Sequence, residues 1–357
     1  MTFLLAIFKY NPFGGLQRDT LRLIQELTGR GHRVIVLTTA WDGPEPPAGA
    51  TVELVPSSKW RSNHARMAQF ARAFTKRLAR RDFDVSVAMS RIPGADYYFA
   101  ADVCMKVYWG KLHSQFALKI NPRYATYLKL EAAVMASPST TRIACIARHQ
   151  RQDYAAAYGT PAERMFLLPP GMDPACRRPP EPEAEAIRAD IRGRLGAKSD
   201  DIAVLLVSNS IRNKGTDRAI AALGTLPGEL DAMTARAGLT EQTVALGQTD
   251  GVRDYMLGAD LFLHPARNEA AGSALIEALA AGCPVLTTDI CGFAPYVDEA
   301  TGTVLKGEFS QDALETMLAG MLPNLDGLKR KTLEYAGKMD FCSRARVFAD
   351  ELEKFRR

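Results

Sequence analysis

The sequence predicts an α/β protein built from two doubly wound, Rossmann-like domains in tandem. Three observations carry this. The chain has 357 residues, beyond the roughly 250–300 over which a single hydrophobic core keeps growing. Short apolar runs of strand length alternate with amphipathic helical stretches in both halves, the pattern of parallel βαβ units. A Pro- and Glu-rich stretch separates the halves and reads as an interdomain connection.

The elements follow in order. Phe3 to Phe8 is an apolar run of strand length, and Asn11-Pro12-Phe13-Gly14-Gly15 follows it as a glycine loop. Leu16, Thr20, Leu23, Ile24 and Leu27 then share one helical face, Gly29-Arg30-Gly31 stops the helix, and Arg33 to Thr38 resumes as a buried strand. Together these form one βαβ unit. Val52 to Val55, Val85 to Met89 and Thr141 to Ile146 are further strands, so the first domain is expected over residues 1–168. Leu167 to Pro174 and the stretch to Glu185 form the connection. The second domain, residues 169–341, contains strands at Ala203 to Ser208, Leu261 to Pro265 and Pro284 to Thr288. In residues 342–357, Val347, Phe348, Leu352 and Phe355 lie on one face, which predicts a packed terminal helix.

Composition narrows the function classes. Residues are 47% hydrophobic and 24% charged, as in a globular protein, and no apolar run approaches the roughly 20 residues that span a bilayer. The N-terminus lacks a basic n-region and a small-residue cleavage site, so no export signal is expected. The six cysteines show neither a C-x-x-C pair nor clustered histidines, which fits a reducing cytosol and suggests no metal site. The net charge of +5 is modest, but basic residues far outnumber acidic ones from Lys59 to Lys129.

Open parallel sheets bind ligands at the carboxyl ends of their strands, so the chemistry is sought in the loops there. Glu269-Ala270-Ala271-Gly272-Ser273 immediately precedes a helix that contains Glu277. The small residues Ala271, Gly272 and Ser273 let the backbone approach a ligand and aim N–H groups at phosphate or sugar oxygens. One glutamate can then hold a sugar and the other a ribose. Arg212 and Lys214, in another strand-to-helix loop, suit a diphosphate and can take the place of a metal. The first half offers Gly14 and Gly15 opening a helix, Asp19 one turn inside it, and Asp102 after Tyr98-Phe99-Ala100. Gly14-Gly15 is not G-x-G-x-x-G, so a dinucleotide site is only weakly suggested. His64, with Arg66 two residues on, reads as a structural or acceptor-contact residue.

Glu269 with Glu277, Pro170-Gly171-Met172-Asp173-Pro174, Lys214-Gly215 and Gly14-Gly15 together resemble the retaining GT-B glycosyltransferase family that contains sucrose and glycogen synthases, family 4 in its broad sense. Phe8 to Asp19, Tyr98 to Cys104, Leu263-His264-Pro265 and Glu269 to Gly272 resemble its lipopolysaccharide core glucosyltransferase I branch over nearly the whole chain. The resemblance implies a GT-B fold with two domains facing across a cleft and a C-terminal helix packing back toward the first, UDP-glucose as donor, and a lipid-linked inner-core heptose as acceptor. It implies no cofactor or metal, and a peripheral position on the cytoplasmic face of the inner membrane. Residue by residue, Asp19 and Asp102 face the acceptor and the reacting centre, with Asp102 as acceptor-side base. Gly15, Arg212 and Lys214 serve the donor, Glu269 its sugar and Glu277 its ribose. Two departures stand out. Asn209 occupies the place of an arginine usual in the wider family, and the segment between Leu226 and Val252 is short. Either the second sheet loses a strand or Thr243 to Gly247 replaces it, in which case Val244 to Leu246 is expected to pair directly and in parallel with Val204 to Leu206, with Leu230 to Ala237 as part of the crossover.

Between Val103 and Met135, Lys106, Lys111, Lys119, Arg123 and Lys129 alternate with aromatic and aliphatic residues, a mixture that suits an anionic leaflet. Single-stranded nucleic acid could use the same mixture, but the donor-site motifs argue against it. Two other classes remain: a membrane-associated GT-B binding protein without turnover, suggested by the short segment, and a sugar-nucleotide epimerase, which has no use for the basic stretch.

Overall fold

The computed structural model describes residues 1–12, 14–58, 60–208, 210–223, 242–247, 249 and 251–355. The chain forms two compact units, Met1–Pro169 with Ser343–Arg357, and Pro170–Cys342. Among the described residues no helix is long and apolar enough to cross a membrane.

The first unit is a parallel sheet of order β3-β2-β1-β4-β5-β6-β7. Its elements are β1 (Thr2–Ala6), α1 (Gly15–Gly29), β2 (Arg33–Thr38), β3 (Ala50–Leu54), α2 (Asn63–Leu78), β4 (Val85–Ala88), β5 (Tyr97–Ala100), α3 (Met105–Leu112), α4 (Gln115–Ile120), α5 (Pro122–Met135), β6 (Arg142–Cys145), α6 (Arg148–Tyr158) and β7 (Met165–Leu167). Every residue of β1 and β4 is buried. That is why these strands read as continuous apolar runs: a parallel sheet is covered on both faces. β5 and β7 went unrecognised as strands because the motif at Tyr98 to Asp102 and the proline-rich connection dominate those stretches.

The C-terminal helix (Arg344–Glu353) belongs to this unit. Phe348 and Leu352 are fully buried, and the Phe348 ring meets those of Tyr97, Phe99 and Phe166 at 5.9–6.2 Å. Polar contacts lock its far end. His32 Nε2 lies 2.7 Å from Glu353, and Arg30 Nη1 donates to the same carboxylate at 3.0 Å.

The second unit holds α7 (Glu183–Arg194), β8 (Val204–Leu205), α8 (Ile211–Lys214), α9 (Thr216–Leu223), α10 (Val252–Gly258), β9 (Leu261–His264), α11 (Ser273–Ala281), β10 (Val285–Thr288), β11 (Gly302–Leu305), α12 (Gln311–Met321) and α13 (Leu325–Lys338). Its described strands form a parallel sheet of order β11-β10-β9-β8. Asp260 sits 5% exposed below the sheet and gathers Arg188, Arg192, Lys329 and the Ala203 N–H. These contacts outweigh burial, which acts in the opposite direction, and hold its carboxyl at about 2.

The expected replacement strand is absent. Residues 243–247 have no strand structure and β8 lies at the edge of the described sheet. Val244 is 56% and Leu246 37% exposed, so neither alternating apolar side chain has found a core to enter. Gly247 turns the chain away at φ +65°, and β8 itself pairs with β9 over only two residues. The expected crossover over 230–237 and Asn209 lie outside the described residues.

Candidate active site

In the second unit, the loops after β8 and β9 are built against each other. The N–H groups of Arg267 and Asn268 both donate to the Asn213 carbonyl, at 2.8 and 3.2 Å. Gly215 takes φ +70°, and a Cβ there would collide with the Pro265 carbonyl. Only glycine permits this approach. The approach brings Lys214 to Glu269: the ammonium and the carboxylate form a hydrogen-bonded ion pair, 20% and 14% exposed. His264, 2% exposed at the end of β9, places Nε2 3.5 Å from the same carboxylate without hydrogen-bond geometry. Burial alone raises the Glu269 pKa, but His264 and the Lys214 charge outweigh it and hold the group at about 2. The carboxylate is therefore ionised and ready to accept hydroxyl hydrogens.

Gly272 closes the loop at φ +85° as the N-cap of α11 and packs against the Glu269 stem. It has no side chain to cap the helix, so the N–H groups opening α11 can serve a ligand. Ala271 is buried beside it, while Ser273 and Glu277 lie half-buried on α11. The structure thus brings Lys214, Glu269, Ala271 and Gly272 together. Arg212, two residues before Lys214, is exposed, its carbonyl accepting from Arg267 Nη1 at 3.1 Å. The sequence reading used His264 only within the Leu263-His264-Pro265 resemblance and gave it no place at the site; its signal was its position at the end of an apolar strand.

In the first unit, Gly14 caps α1 and Gly15 opens it, in the loop after β1. Gly14 and Gly15 follow the carboxyl end of a parallel strand, as the sequence predicts, and Asp102 follows one that the sequence reading did not recognise. Asp102 follows β5, its side chain 71% exposed and 4.0 Å from Arg91 Nη2. Asp19 differs: its carboxylate accepts from Arg344 at 2.7 Å and is 12% exposed. The residue expected at the reacting centre is held by the C-terminal helix. His64 bonds Ser62 at the start of α2 at 3.1 Å. Arg66 donates to Ser57 at 2.9 Å and covers the Phe8 ring. Arg91, Glu131 and Arg344 are charged groups that sequence reasoning missed. Each is nearly or fully buried, and no periodicity marks a buried charge.

The basic stretch folds as three short helices. Trp109, His113, Tyr124 and Tyr127 pack on one another. Leu112, Phe116 and Ile120 are instead 55–71% exposed, alongside exposed Lys111 and Lys119. Lys106, also exposed, donates to the Ala157 carbonyl and lies over the Tyr158 ring. Among the described residues no three His, Cys, Asp or Glu side chains gather to hold a metal ion.

Two parallel-sheet units, with a cation–carboxylate pair beside a glycine-capped helix in the second, are the parts of a GT-B glycosyltransferase. Comparisons with known proteins agree. Residues 13–175 match the Glycosyltransferase Family 4 model and residues 187–339 the Glycosyl transferases group 1 model. Lipopolysaccharide glucosyltransferase WaaG of Escherichia coli K12 is 33% identical over 97% of this chain and 93% of its own. The crystal structure of WaaG superposes with a TM-score of 0.88 at 32% identity, covering 99% of this chain and all of that one. Anabaena Alr3699/HepE in complex with UDP and glucose shares the fold, with a TM-score of 0.73 at 16% identity over 99% of both chains. The chain belongs to the family 4/group 1 glycosyltransferases, in the same family as WaaG.

Proposed function

We propose that this chain transfers glucose from UDP-glucose, with retention at the anomeric carbon and without a metal, to a heptose of the lipopolysaccharide inner core. The observation that carries the reading is the Lys214–Glu269 pair at the ends of β8 and β9, in a chain one-third identical to a lipopolysaccharide glucosyltransferase along nearly its whole length. Lys214 and Arg212 bind the diphosphate and offset the charge that develops on the leaving group, a task a divalent cation performs elsewhere. When the diphosphate engages Lys214, the Glu269 carboxylate becomes available to the sugar hydroxyls, and Glu277 holds the ribose. Asp102 receives the proton of the acceptor hydroxyl as the new glycosidic bond forms. His64 and Arg66 contact the acceptor. The exposed Leu112, Phe116 and Ile120 with Lys111 and Lys119 rest on the anionic cytoplasmic leaflet, where the lipid-linked acceptor is held.

The test is transfer from radiolabelled UDP-glucose, UDP-galactose and UDP-N-acetylglucosamine to heptose-terminated lipopolysaccharide, with EDTA present and the product anomer read by NMR. Glucose incorporation with the α-configuration of the donor is expected. Preference for another sugar, an inverted anomer, or a rate restored only by manganese would each refute the corresponding part. A second reading, a GT-B binding protein without turnover, is favoured by one observation, the lack of strand structure at residues 243–247. UDP binding with no transfer to any acceptor in the panel would support it.

A further inference from the structure

A connected set of buried polar side chains surrounds the loop that carries Asp102. Glu131, in the C-terminal half of α5, is fully buried. Its carboxylate accepts the Met105 N–H at 2.8 Å and the Lys106 N–H at 3.0 Å, and the Tyr158 hydroxyl donates to it at 2.6 Å. It thereby caps α3, whose own N-cap is Cys104 and makes no side-chain capping bond. Arg91, in the loop after β4, is 6% exposed. Its Nε lies 3.3 Å from Glu131 in an ion pair, and its Nη2 donates to the Val103 carbonyl at 3.1 Å. Fully buried Gln150 donates to the carbonyls of Ala100 at 2.7 Å and Asp102 at 2.9 Å. Tyr154 also reaches the Asp102 carbonyl, at 3.4 Å.

The consequence is visible residue by residue. Asp102, Val103, Cys104, Met105 and Lys106 each have a backbone or side-chain atom engaged by a side chain from α5, α6 or the β4 loop. The Asp102 carboxylate itself stays 71% exposed. A buried ion pair is a poor way to gain stability, since apolar residues of the same volume commonly serve as well or better. Here the bonds of Glu131 and Arg91 to residues 103–106 and those of Gln150 and Tyr154 to the Asp102 carbonyl converge on one loop.

We infer that Glu131 and Arg91 are positioning residues for Asp102: their buried ion pair fixes residues 102–106 so that the carboxylate is presented in one orientation to the acceptor hydroxyl. Both act through Asp102 and neither meets the sugar. The inference rests on the role proposed above for Asp102.

The test is a double-mutant cycle on the full chain, combining Glu131→Gln or Arg91→Lys with Asp102→Asn. Turnover is measured by single-turnover transfer, UDP affinity by calorimetry, and folding by thermal unfolding. Glu131→Gln replaces one acceptor oxygen by a donor, and Arg91→Lys keeps the charge but loses the fork. Each is expected to lower the rate of transfer by about tenfold or more while UDP affinity stays within about twofold, the pattern of a lost transition-state interaction. Added to Asp102→Asn, neither should lower the residual rate further. A buried charge that loses its partner can unfold a protein, so Arg91→Lys decides the matter if Glu131→Gln does not fold. A folded variant with unaltered rate overturns the inference, as does a loss that multiplies with that of Asp102→Asn. Full activity in Asp102→Asn alone would instead strike the role assigned to that residue.

Discussion

Arg344 Nη1 donates to Asp19 Oδ2 at 2.7 Å, with the side chains 4% and 12% exposed. The bond ties the first turn of the C-terminal helix to α1, and Arg344 Nε holds the Pro169 carbonyl at 2.9 Å. Pro169 and Ser343 are the residues at which the chain leaves and re-enters the first unit, so one guanidinium joins both crossings to the glycine-loop helix. Arg344→Met should destabilise the first unit by about 1.5–3 kcal/mol, because it removes a charge-assisted hydrogen bond from a largely buried carboxylate that keeps Arg22 at 3.6 Å. An unchanged urea midpoint would show that the pair is dispensable. Asp19→Asn should lose stability and activity together, unlike Asp102→Asn, which should lose transfer and keep the wild-type unfolding midpoint.

Lys214→Ala should weaken UDP binding by about tenfold or more, since charge-assisted contacts to phosphate contribute about 1.5–3 kcal/mol each. Titration calorimetry reads this directly. An unaltered dissociation constant would remove Lys214 from the diphosphate site and leave its bond to Glu269 a structural one.

Acid stability follows from two carboxylates. Glu269 is held at about 2 against an ordinary 4.5, and Asp260 at about 2 against 3.8. Both folded values are depressed, so their contribution is present above the ordinary values and is lost as pH falls through about 4.5 to 2. The second unit should lose stability steeply in that window, and Glu269→Gln and Asp260→Asn should each flatten the loss. Fluorescence-monitored urea unfolding between pH 6 and 3 checks it; identical slopes in wild type and variants would contradict the assigned ion pairs.

Attachment to membranes should depend on Lys111 and Lys119, with Phe116 as the apolar anchor, and not on Lys106, which faces Tyr158. Each basic residue at an anionic surface contributes about 1 kcal/mol. Lys111→Glu with Lys119→Glu should therefore abolish sedimentation with vesicles containing phosphatidylglycerol, and Lys106→Ala should leave it nearly intact. Salt should release the wild type. Equal binding to neutral vesicles at high salt would rule out the electrostatic part.

The first βαβ unit was legible because its signals are local: an uninterrupted apolar run, two glycines and a helix with apolar residues on one face. The Glu269 loop was legible for the same reason, since small residues before a helix are a property of consecutive positions. The strand expected at Thr243 to Gly247 was misread. Alternating Val244 and Leu246 look like a strand in one dimension, and nothing in five residues reveals whether a sheet edge is there to receive them.

By itself the sequence determined the alternation of strands and helices, the family, and the loops that carry Lys214 and Glu269, because each depends on residues close together in the chain. Tertiary structure alone decided the partners of those groups. Lys214 meets Glu269 across 55 positions and Asp19 meets Arg344 across 325, while Glu131 caps a helix that begins 26 residues before it. A charge becomes ionised, buried or committed to another according to what the fold packs against it. That is set by contacts distant in sequence, on which composition and spacing carry no information.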